Sequence, residues 1–197
     1  MAGIGDVPDI IKATIAAYRQ GAFPMAQDGE LGFYQCDPRS IYFFDQFHRP
    51  KRLKRTMRQG QFQFSVDQCF EEVIQGCRRD RPEWISDELV QIYLSLHELG
   101  IAHSFEAWQG DELAGGVYGM AFGAAFMAES MFHNITHGSN LALMYGIDCL
   151  ESSGFHFCDI QYSNEHTERF KPVQVPKANF RKMLDEAMKI KVMLKAL

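Results

Sequence analysis

Residues 113–132, LAGGVYGMAFGAAFMAESMF, constrain the fold more than any other stretch of the chain. Aromatic and β-branched residues favour strands, and the glycines among them indicate places where another backbone or a ligand comes close. We predict a β-hairpin with its turn near residues 120–123. The two-residue period of a strand then places Met127, Glu129 and Met131 on one face, with Glu129 as a carboxylic acid on an apolar surface. The alternative is a core hairpin with glycines at bulges and Glu129 at a solvent edge.

The composition is that of a globular protein with reduced cysteines. The chain has 197 residues, enough for one large domain, and its 46% hydrophobic content is ordinary for a globular core. No apolar run approaches the ~18 residues of a membrane-spanning helix. Residues 1–10 have neither a basic start nor a long apolar run, so we expect no secretory signal. The five cysteines lack C-x-x-C spacing, which favours reduced thiols and a cytoplasmic location.

One short segment is strongly basic although the net charge of the chain is −5. Residues 49–58, RPKRLKRTMR, hold six of the 20 lysines and arginines and no acid. Pro50 suits the start of a helix and Gly60 suits its end. One face of that helix carries four cations: Lys51, Lys54, Arg55 and Arg58. A phosphate-binding helix and an ordinary solvated face are both consistent with this pattern.

The remaining segments predict helices and strands of a single domain. Helices are expected at residues 6–20, 67–77, 86–99, 139–153 and 177–189, the first four with Asp6, Asp67, Ser86 and Ser139 as N-caps. Strands are expected at residues 41–44, 62–66, 103–109 and 155–161, and residues 22–39 are expected to be irregular. This order favours a mixed α/β (α+β) fold of the acetyltransferase type (GNAT-like), with a mostly antiparallel sheet flanked by helices. We expect residues 1–197 to form one such domain, with residues 1–60 as its helical and irregular N-terminal part.

The polar residues favour acyl transfer without a covalent intermediate. Asp159 and Gln161 are two residues apart, so we predict that both project from one face of the last long strand. With Glu129 and Asn164 they form a polar set that could orient an amine, and the amide groups among them could donate to a developing oxyanion. No nucleophile motif is present.

The segment HNITHG, residues 133–138, bears on cofactors. His133 and His137 have the spacing of a zinc pair but lack the acid of H-E-x-x-H, so we expect no metal. The segment has a single glycine, which argues against a loop for the diphosphate of CoA.

Several blocks together resemble the leucyl/phenylalanyl-tRNA–protein transferases, over residues 17 to about 177. The blocks are AYRQGAFP (17–24), DPR (37–39), LHELGIAHSFEAW (96–108), ELAGGVYGMAFGAAFMAESMF (112–132) and DIQYSNEHT (159–167). The resemblance implies an acetyltransferase-type catalytic domain. It implies transfer of Leu, Phe or Met from aminoacyl-tRNA to an N-terminal Arg or Lys of a protein, which marks that protein for degradation. It implies no cofactor, neither CoA nor a metal.

The resemblance also implies roles for individual residues. Asp159 would orient Gln161, and Gln161 would contact the attacking amine. The substrate-binding set would comprise Tyr118, Glu129, Ser130 and Asn164, together with Trp84, Met131 and Leu143 in the acyl and adenosine pockets. The four cations of residues 49–58 would hold phosphates of the acceptor stem.

The chain departs from the family pattern at several places. Met25 stands where a tryptophan is usual, and Gly146 and Cys158 stand where bulkier residues are expected in the acyl pocket. We expect a short form of the family that lacks most of the usual small N-terminal domain. Three alternatives therefore stay open: a CoA-dependent N-acetyltransferase, a non-catalytic RNA-binding module, and a related transferase with changed aminoacyl or acceptor specificity.

Overall fold

The computed structural model describes residues 7–79 and 82–197, and Asp6, the predicted first N-cap, lies outside them. The strands are β1 Phe23–Gln27, β2 Glu30–Tyr34, β3 Arg39–Tyr42, β4 Gln63–Val66, β5 Ala102–Gln109, β6 Glu112–Phe122, β7 Ala125–His133, β8 Phe157–Asp159 and β9 Val173–Val175. The helices are α1 Asp9–Arg19, α2 Lys51–Arg58, α3 Phe70–Arg79, α4 Asp87–Glu98, α5 Gly138–Ser152, α6 Glu165–Glu168 and α7 Lys177–Ala187.

A seven-stranded sheet in the order β4-β5-β6-β7-β8-β3-β9 forms the centre of the fold. Its strand pairs are antiparallel except for β7 and β8, which run parallel. One face packs against α1, α3, α4 and α7, and the other packs against α2 and α5. The predicted mixed architecture, a mostly antiparallel sheet flanked by helices, is confirmed.

The central hairpin forms as predicted, but its turn lies at residues 123–124 and its second strand contains a β-bulge. Tyr118 pairs with Ser130 and Gly119 pairs with Ala128, so Glu129 has no partner across the hairpin. An extra residue reverses the alternation of side chains beyond it. Met127 therefore packs with the α1 and α4 side of the core, whereas Met131 packs with the α5 side. The prediction that Met131 shares a face with Met127 was wrong because the bulge intervenes.

Residues 22–39 are not irregular. They contain a separate two-stranded hairpin of β1 and β2. Asp28 and Gly29 form its turn with positive φ angles of 53° and 82°. Asp-Gly is a preferred dipeptide for a two-residue turn of this kind, because both central residues need positive φ.

Three capping predictions have different outcomes. Ser86 caps α4, accepting a hydrogen bond of 3.2 Å from the backbone N–H of Leu89. Asp67 does not cap α3, because its carboxylate accepts from the backbone N–H of Ser104 at 2.8 Å and contacts His103 Nδ1 at 2.7 Å. Ser139 lies inside the first turn of α5, whose N-cap is His137.

Strands β7 and β8 pair over only three residues each, and this short contact positions the site. Ala125, Phe126 and Met127 pair with Phe157, Cys158 and Asp159. Strand β8 ends at Asp159, while β7 continues to His133. The chain after β8 crosses to β3, where Ile160 N donates to Ser40 O at 2.9 Å. A gap therefore opens between residues 128–133 and residues 160–164.

Within the described ranges, no helix has the length and apolar character needed to cross a membrane.

The turn of the central hairpin is expected to be sensitive to an added methyl group. Gly123 has φ +56°, and a Cβ there would lie 2.3 Å from the Ala187 carbonyl oxygen at the end of α7. Gly110, in the preceding turn, has φ +60° and open space around a Cβ. Gly110→Ala should cost ~1–2 kcal/mol for its backbone conformation alone, and Gly123→Ala should cost a further ~1–3 kcal/mol from the clash. Urea unfolding measures both; equal midpoint shifts would show that α7 does not restrict this turn.

Candidate active site

A cavity of about 290 Å³ fills the gap between β7 and the chain that follows β8. Its lining includes seven of the residues predicted from the sequence: Trp84, Glu129, Ser130, Met131, Leu143, Gln161 and Asn164. Met25 also contributes. Asp159 and Tyr118 do not line this cavity but lie fully buried behind it. The structure thus brings most of the predicted substrate-binding set to one place.

Asp159 is held by a buried ion pair with Arg39. Arg39 Nε donates to Asp159 Oδ1 at 3.2 Å, and Nη2 donates to Oδ2. The third guanidinium nitrogen donates to the Gly21 carbonyl oxygen at 2.9 Å, and the group lies 4.5 Å from the ring centre of Phe180. Burial alone would lower the pKa of Arg39, but the neighbouring Asp159 carboxylate more than offsets this and raises it. The end of β8 is therefore anchored to β3, to Gly21 two residues beyond the end of α1, and to α7.

Asp159 controls Gln161 through the backbone. Asp159 Oδ1 accepts the backbone N–H of Gln161 at 2.9 Å, and Gln161 has φ +57°. A glutamine in the left-handed region is uncommon and needs support from its surroundings. Because β8 ends at Asp159, the prediction that both residues project from one face of a strand was wrong. Asp159 and Gln161 instead form a turn, in which the Asp159 carboxylate holds the backbone N–H two residues further along the chain.

Gln161 and Glu129 meet across the gap. Gln161 Nε2 donates to Glu129 Oε1 at 3.1 Å, and the Tyr93 hydroxyl donates to Glu129 Oε2 at 3.1 Å. The Tyr18 and Tyr93 hydroxyls lie 3.2 Å apart, which extends the network to α1. An ionised carboxylate only accepts hydrogen bonds, so Gln161 presents its NH2 group to Glu129. The amide oxygen of Gln161 is left for another donor.

Burial raises the pKa of Glu129 to about 7, even though hydrogen bonds from Tyr18 and Tyr93 favour the carboxylate. The nearby Asp159 carboxylate raises the pKa further, and Arg39 lowers it. Glu129 is therefore close to half-ionised at neutral pH. A side chain in that state accepts or releases a proton with little change in free energy.

The other predicted substrate-binding residues differ in what they offer. Ser130 is 8% exposed, and in the described part of the chain its hydroxyl has no hydrogen-bond partner. The Tyr118 hydroxyl is likewise unpartnered there, and its ring packs edge-on against Tyr93 at 5.2 Å. Asn164 is the N-cap of α6, where its Oδ1 accepts from the backbone N–H of His166 and of Thr167. Its carbonyl oxygen is thus committed to local structure.

The four predicted phosphate-binding cations lie on an exposed surface outside the cavity. Helix α2 begins after Pro50 as predicted, and buried Leu53 anchors it. Lys51, Lys54, Arg55 and Arg58 surround one shallow depression. Of the histidines in the HNITHG segment, His133 lines the cavity and His137 is the N-cap of α5. Among the described residues, no group of three or more His, Cys, Asp or Glu side chains could hold a metal ion.

Three residues that hold the site were not among those predicted from the sequence: Arg39, Tyr93 and Tyr18. Arg39 and Tyr18 lie in the blocks DPR and AYRQGAFP, which carried the resemblance but suggested no role for either. Tyr93 has helical spacing to Leu89 and Leu96 and therefore has the pattern of an apolar core residue. A hydrophobic pattern does not predict that the Tyr18 and Tyr93 hydroxyl groups extend from this core towards Glu129.

The family model described as leucyl/phenylalanyl-tRNA protein transferase matches residues 41–185, more than half of the chain. The chain belongs to this family. The matched residues include both arms of the cavity, with Glu129 on β7 and Gln161 after β8.

Individual members of the leucyl/phenylalanyl-tRNA–protein transferase family match most of the chain. One from Rubrobacter xylanophilus is 40% identical over 178 residues, which are 89% of this chain and 93% of the relative. One from Akkermansia muciniphila is 42% identical over 180 residues, which are 88% of this chain and 93% of the relative. Both are named leucyl/phenylalanyl-tRNA–protein transferase.

A solved structure outside this transferase family has a similar fold. It is described as the C-terminal domain of a lysylphosphatidylglycerol synthetase from Agrobacterium fabrum. The match has a TM-score of 0.51 and 10% sequence identity, and it covers 100% of this chain and 82% of the other. At that identity the likeness concerns the fold alone.

The raised pKa of Glu129 predicts a pH-dependent contribution to stability. The folded protein retains a proton on Glu129 between its unperturbed value of 4.5 and about 7. The stability from that proton is fully present below the unperturbed pKa and is lost as pH rises through about 7. Glu129→Gln removes this titration, so its unfolding free energy relative to the wild type should increase by ~1–3 kcal/mol between pH 4.5 and pH 8.

Urea unfolding at several pH values measures the difference between Glu129→Gln and the wild type. Glu112→Gln, at an exposed position of β6, controls for the loss of one carboxyl group. A difference between Glu129→Gln and the wild type that does not change with pH would contradict the burial argument.

Proposed function

We propose that the protein transfers Leu, Phe or Met from aminoacyl-tRNA to the N-terminal Arg or Lys of acceptor proteins, marking them for degradation. Membership of the transferase family supports the reaction class. The observation that carries the proposal is the pairing of Glu129 and Gln161 across a cavity, at 3.1 Å, where two central strands separate. The same separation supports an acetyltransferase-type fold with one catalytic domain. The absence of C-x-x-C spacing and the free thiols of all five cysteines support a cytoplasmic location.

The reaction requires a neutral α-amine to attack an ester carbonyl. An α-amino pKa near ~7.7–8.0 leaves a useful neutral fraction at neutral pH, and an aminoacyl ester is already activated. The protein therefore has to supply mainly position and proton transfer. Gln161 would accept a hydrogen bond from the attacking amine through the amide oxygen that Glu129 leaves free. Asp159 would act by fixing the backbone of Gln161, since its carboxylate is occupied by Arg39 and by the Gln161 N–H.

Glu129 would interact with the acceptor. In its ionised form it attracts a cationic N-terminal residue and repels an acidic one. With a pKa of about 7 it could also receive the proton that the amine loses, because donor and acceptor are then closely matched. That proton would pass to the ribose oxygen of the tRNA, which leaves as a hydroxyl group when the ester bond breaks and the amide bond forms. Ser130, with a buried hydroxyl free to donate, would assist at the ester oxygen or the acceptor backbone. Asn164 would act through its amide nitrogen, since its oxygen caps α6.

The apolar side of the cavity would hold the transferred side chain. Met131, Leu143 and Trp84 are among the apolar residues of its lining. A Cβ on Gly146 would lie 2.6 Å from the Phe105 ring, and the space that Leu143, Gly146 and Cys158 line is too small for a water molecule. The pocket is therefore not enlarged at Gly146. We propose that the cations of α2 (Lys51, Lys54, Arg55 and Arg58) contact phosphates of the acceptor stem.

The structure favours this function over CoA-dependent acetylation. A pyrophosphate usually binds open backbone N–H groups at a helix N-terminus. Here the backbone of β6 packs directly on the first turn of α5: a Cβ on Gly138 would lie 2.0 Å from Ala114 O, and one on Gly115 would lie 2.5 Å from Ser139 N. This close packing leaves little room for a diphosphate at the start of α5.

Transfer from charged tRNA to a panel of peptides tests the proposal. Radiolabelled Leu, Phe and Met would each be offered on tRNA to peptides that begin with Arg, Lys, Asp, Glu or Ala. We expect labelling of the Arg and Lys peptides and little of the Asp and Glu peptides, because Glu129 repels a second carboxylate. An N-acetylated Arg peptide is the matched control, since it lacks the attacking amine. Equal labelling of all free peptides, or labelling from acetyl-CoA and none from tRNA, would contradict the proposal.

A further inference from the structure

Tyr162 presents an exposed aromatic ring at the mouth of the cavity. It lines the cavity directly after Gln161 and is 58% exposed, whereas Phe23, Tyr42 and Phe132 in the same lining are each at most 8% exposed. The left-handed turn at Gln161 fixes the chain on one side of Tyr162. The capping box that begins at Asn164 fixes it on the other. A large ring held in the open beside a reaction site indicates a surface that a ligand covers.

The segment that carries Tyr162 is tied to the start of α2. His48 N donates to the Phe170 carbonyl oxygen at 3.1 Å, and the Phe47 and Phe170 rings stack with centres 5.3 Å apart. The Tyr42 hydroxyl donates to the Thr167 carbonyl oxygen at 3.0 Å. The end of α6 and the start of α2 therefore form one continuous surface from Tyr162 to the basic helix.

Two exposed arginines lie on that surface, Arg169 at the end of α6 and Arg52 in α2. Both act on His137, whose pKa is lowered by burial and then by Arg52, Arg169 and His133. Within the described ranges, no carboxylate lies within ion-pair distance of either arginine. Of the two acids in α6, Glu168 accepts from the Ser163 hydroxyl, and Glu165 lies in the first turn. The arginines are thus available to an anionic ligand.

We propose that this surface, formed by Tyr162, Arg169 and Arg52 and here named the α6–α2 rim, binds the unpaired 3′ end of the aminoacyl-tRNA. An exposed aromatic ring beside a basic groove is the arrangement that binds single-stranded nucleic acid, with a base on the ring and phosphates on the cations. The inference rests on the proposed function and adds a site to it. Tyr162 stacks on a base near the cavity, and the two arginines neutralise phosphates between that base and the outer cations of α2.

Charge decides between RNA and the acceptor peptide as the occupant of the rim. An acceptor that begins with Arg or Lys carries a cationic side chain as well as its α-amine. Arg52 and Arg169 repel such a peptide and attract a phosphodiester chain. The acceptor would therefore enter on the side of Glu129.

Binding of Phe-tRNA at several salt concentrations tests the rim. Two tRNA probes are compared: the intact charged molecule, and the same tRNA without its unpaired 3′ nucleotides. The variants are Tyr162→Ala, Tyr162→Phe and the double variant Arg52→Ala/Arg169→Ala. Lys182→Ala, at an exposed position of α7, is the control for loss of a surface cation.

With intact Phe-tRNA, Tyr162→Ala should raise the Kd about tenfold, and Tyr162→Phe should stay within about twofold of the wild type, because the ring is kept. With the shortened tRNA, Tyr162→Ala and the wild type should bind equally. The double arginine variant should reduce the salt slope for intact tRNA by about 1.4, the value for two contacts on a single strand. Lys182→Ala should leave both quantities unchanged.

The inference is overturned if Tyr162→Ala binds intact Phe-tRNA like the wild type, or loses equal affinity for both probes. A raised KM for an Arg-starting peptide with unchanged Kd for tRNA would assign the rim to the acceptor instead. If the wild type transfers no amino acid from tRNA, the proposed function itself fails. If it does transfer and Tyr162→Ala binds normally, only the rim is wrong.

Discussion

The buried ion pair between Arg39 and Asp159 is the interaction on which the site depends. It joins the end of β8 to β3, to Gly21 two residues beyond the end of α1, and to α7. Removing two charges from water is costly, and such pairs often add little to net stability. Its value here is geometric. Asp159 is fixed so rigidly that its carboxylate can in turn hold Gln161 in a left-handed conformation that the residue would otherwise avoid.

A second constraint acts from the opposite arm of the cavity. The bulge in β7 leaves Glu129 unpaired across the hairpin, and α1 and α4 supply the Tyr18 and Tyr93 hydroxyls that hold its carboxyl group. Glu129 on β7 and Gln161 in the turn after β8 therefore reach each other where the two strands no longer pair. The same burial that fixes Glu129 raises its pKa to about 7, so position and proton affinity arise from one cause.

Much of this architecture is visible in the sequence, and the exceptions have physical reasons. Local patterns predict the central hairpin, the exposed cations of α2 and the Ser86 cap, because each depends on nearby residues. The bulge at Glu129 does not follow from a two-residue period, since a single inserted residue leaves the composition of the strand unchanged. The turn at Gln161 depends on Arg39, 120 residues before Asp159. The β1–β2 hairpin is different, because its Asp28-Gly29 turn is a local signal that the sequence itself contains.

The most direct test of the positioning role is the single-turnover rate of transfer from Phe-tRNA to an Arg-starting peptide. Asp159→Asn and Gln161→Ala would be compared singly and together, at a temperature where circular dichroism shows each variant folded. If Asp159 acts only by holding Gln161, each single variant should lose roughly 10²-fold in rate, and the double variant should be little slower than the slower single variant. Losses that multiply in the double variant, or a near-normal rate in either single variant, would contradict this role.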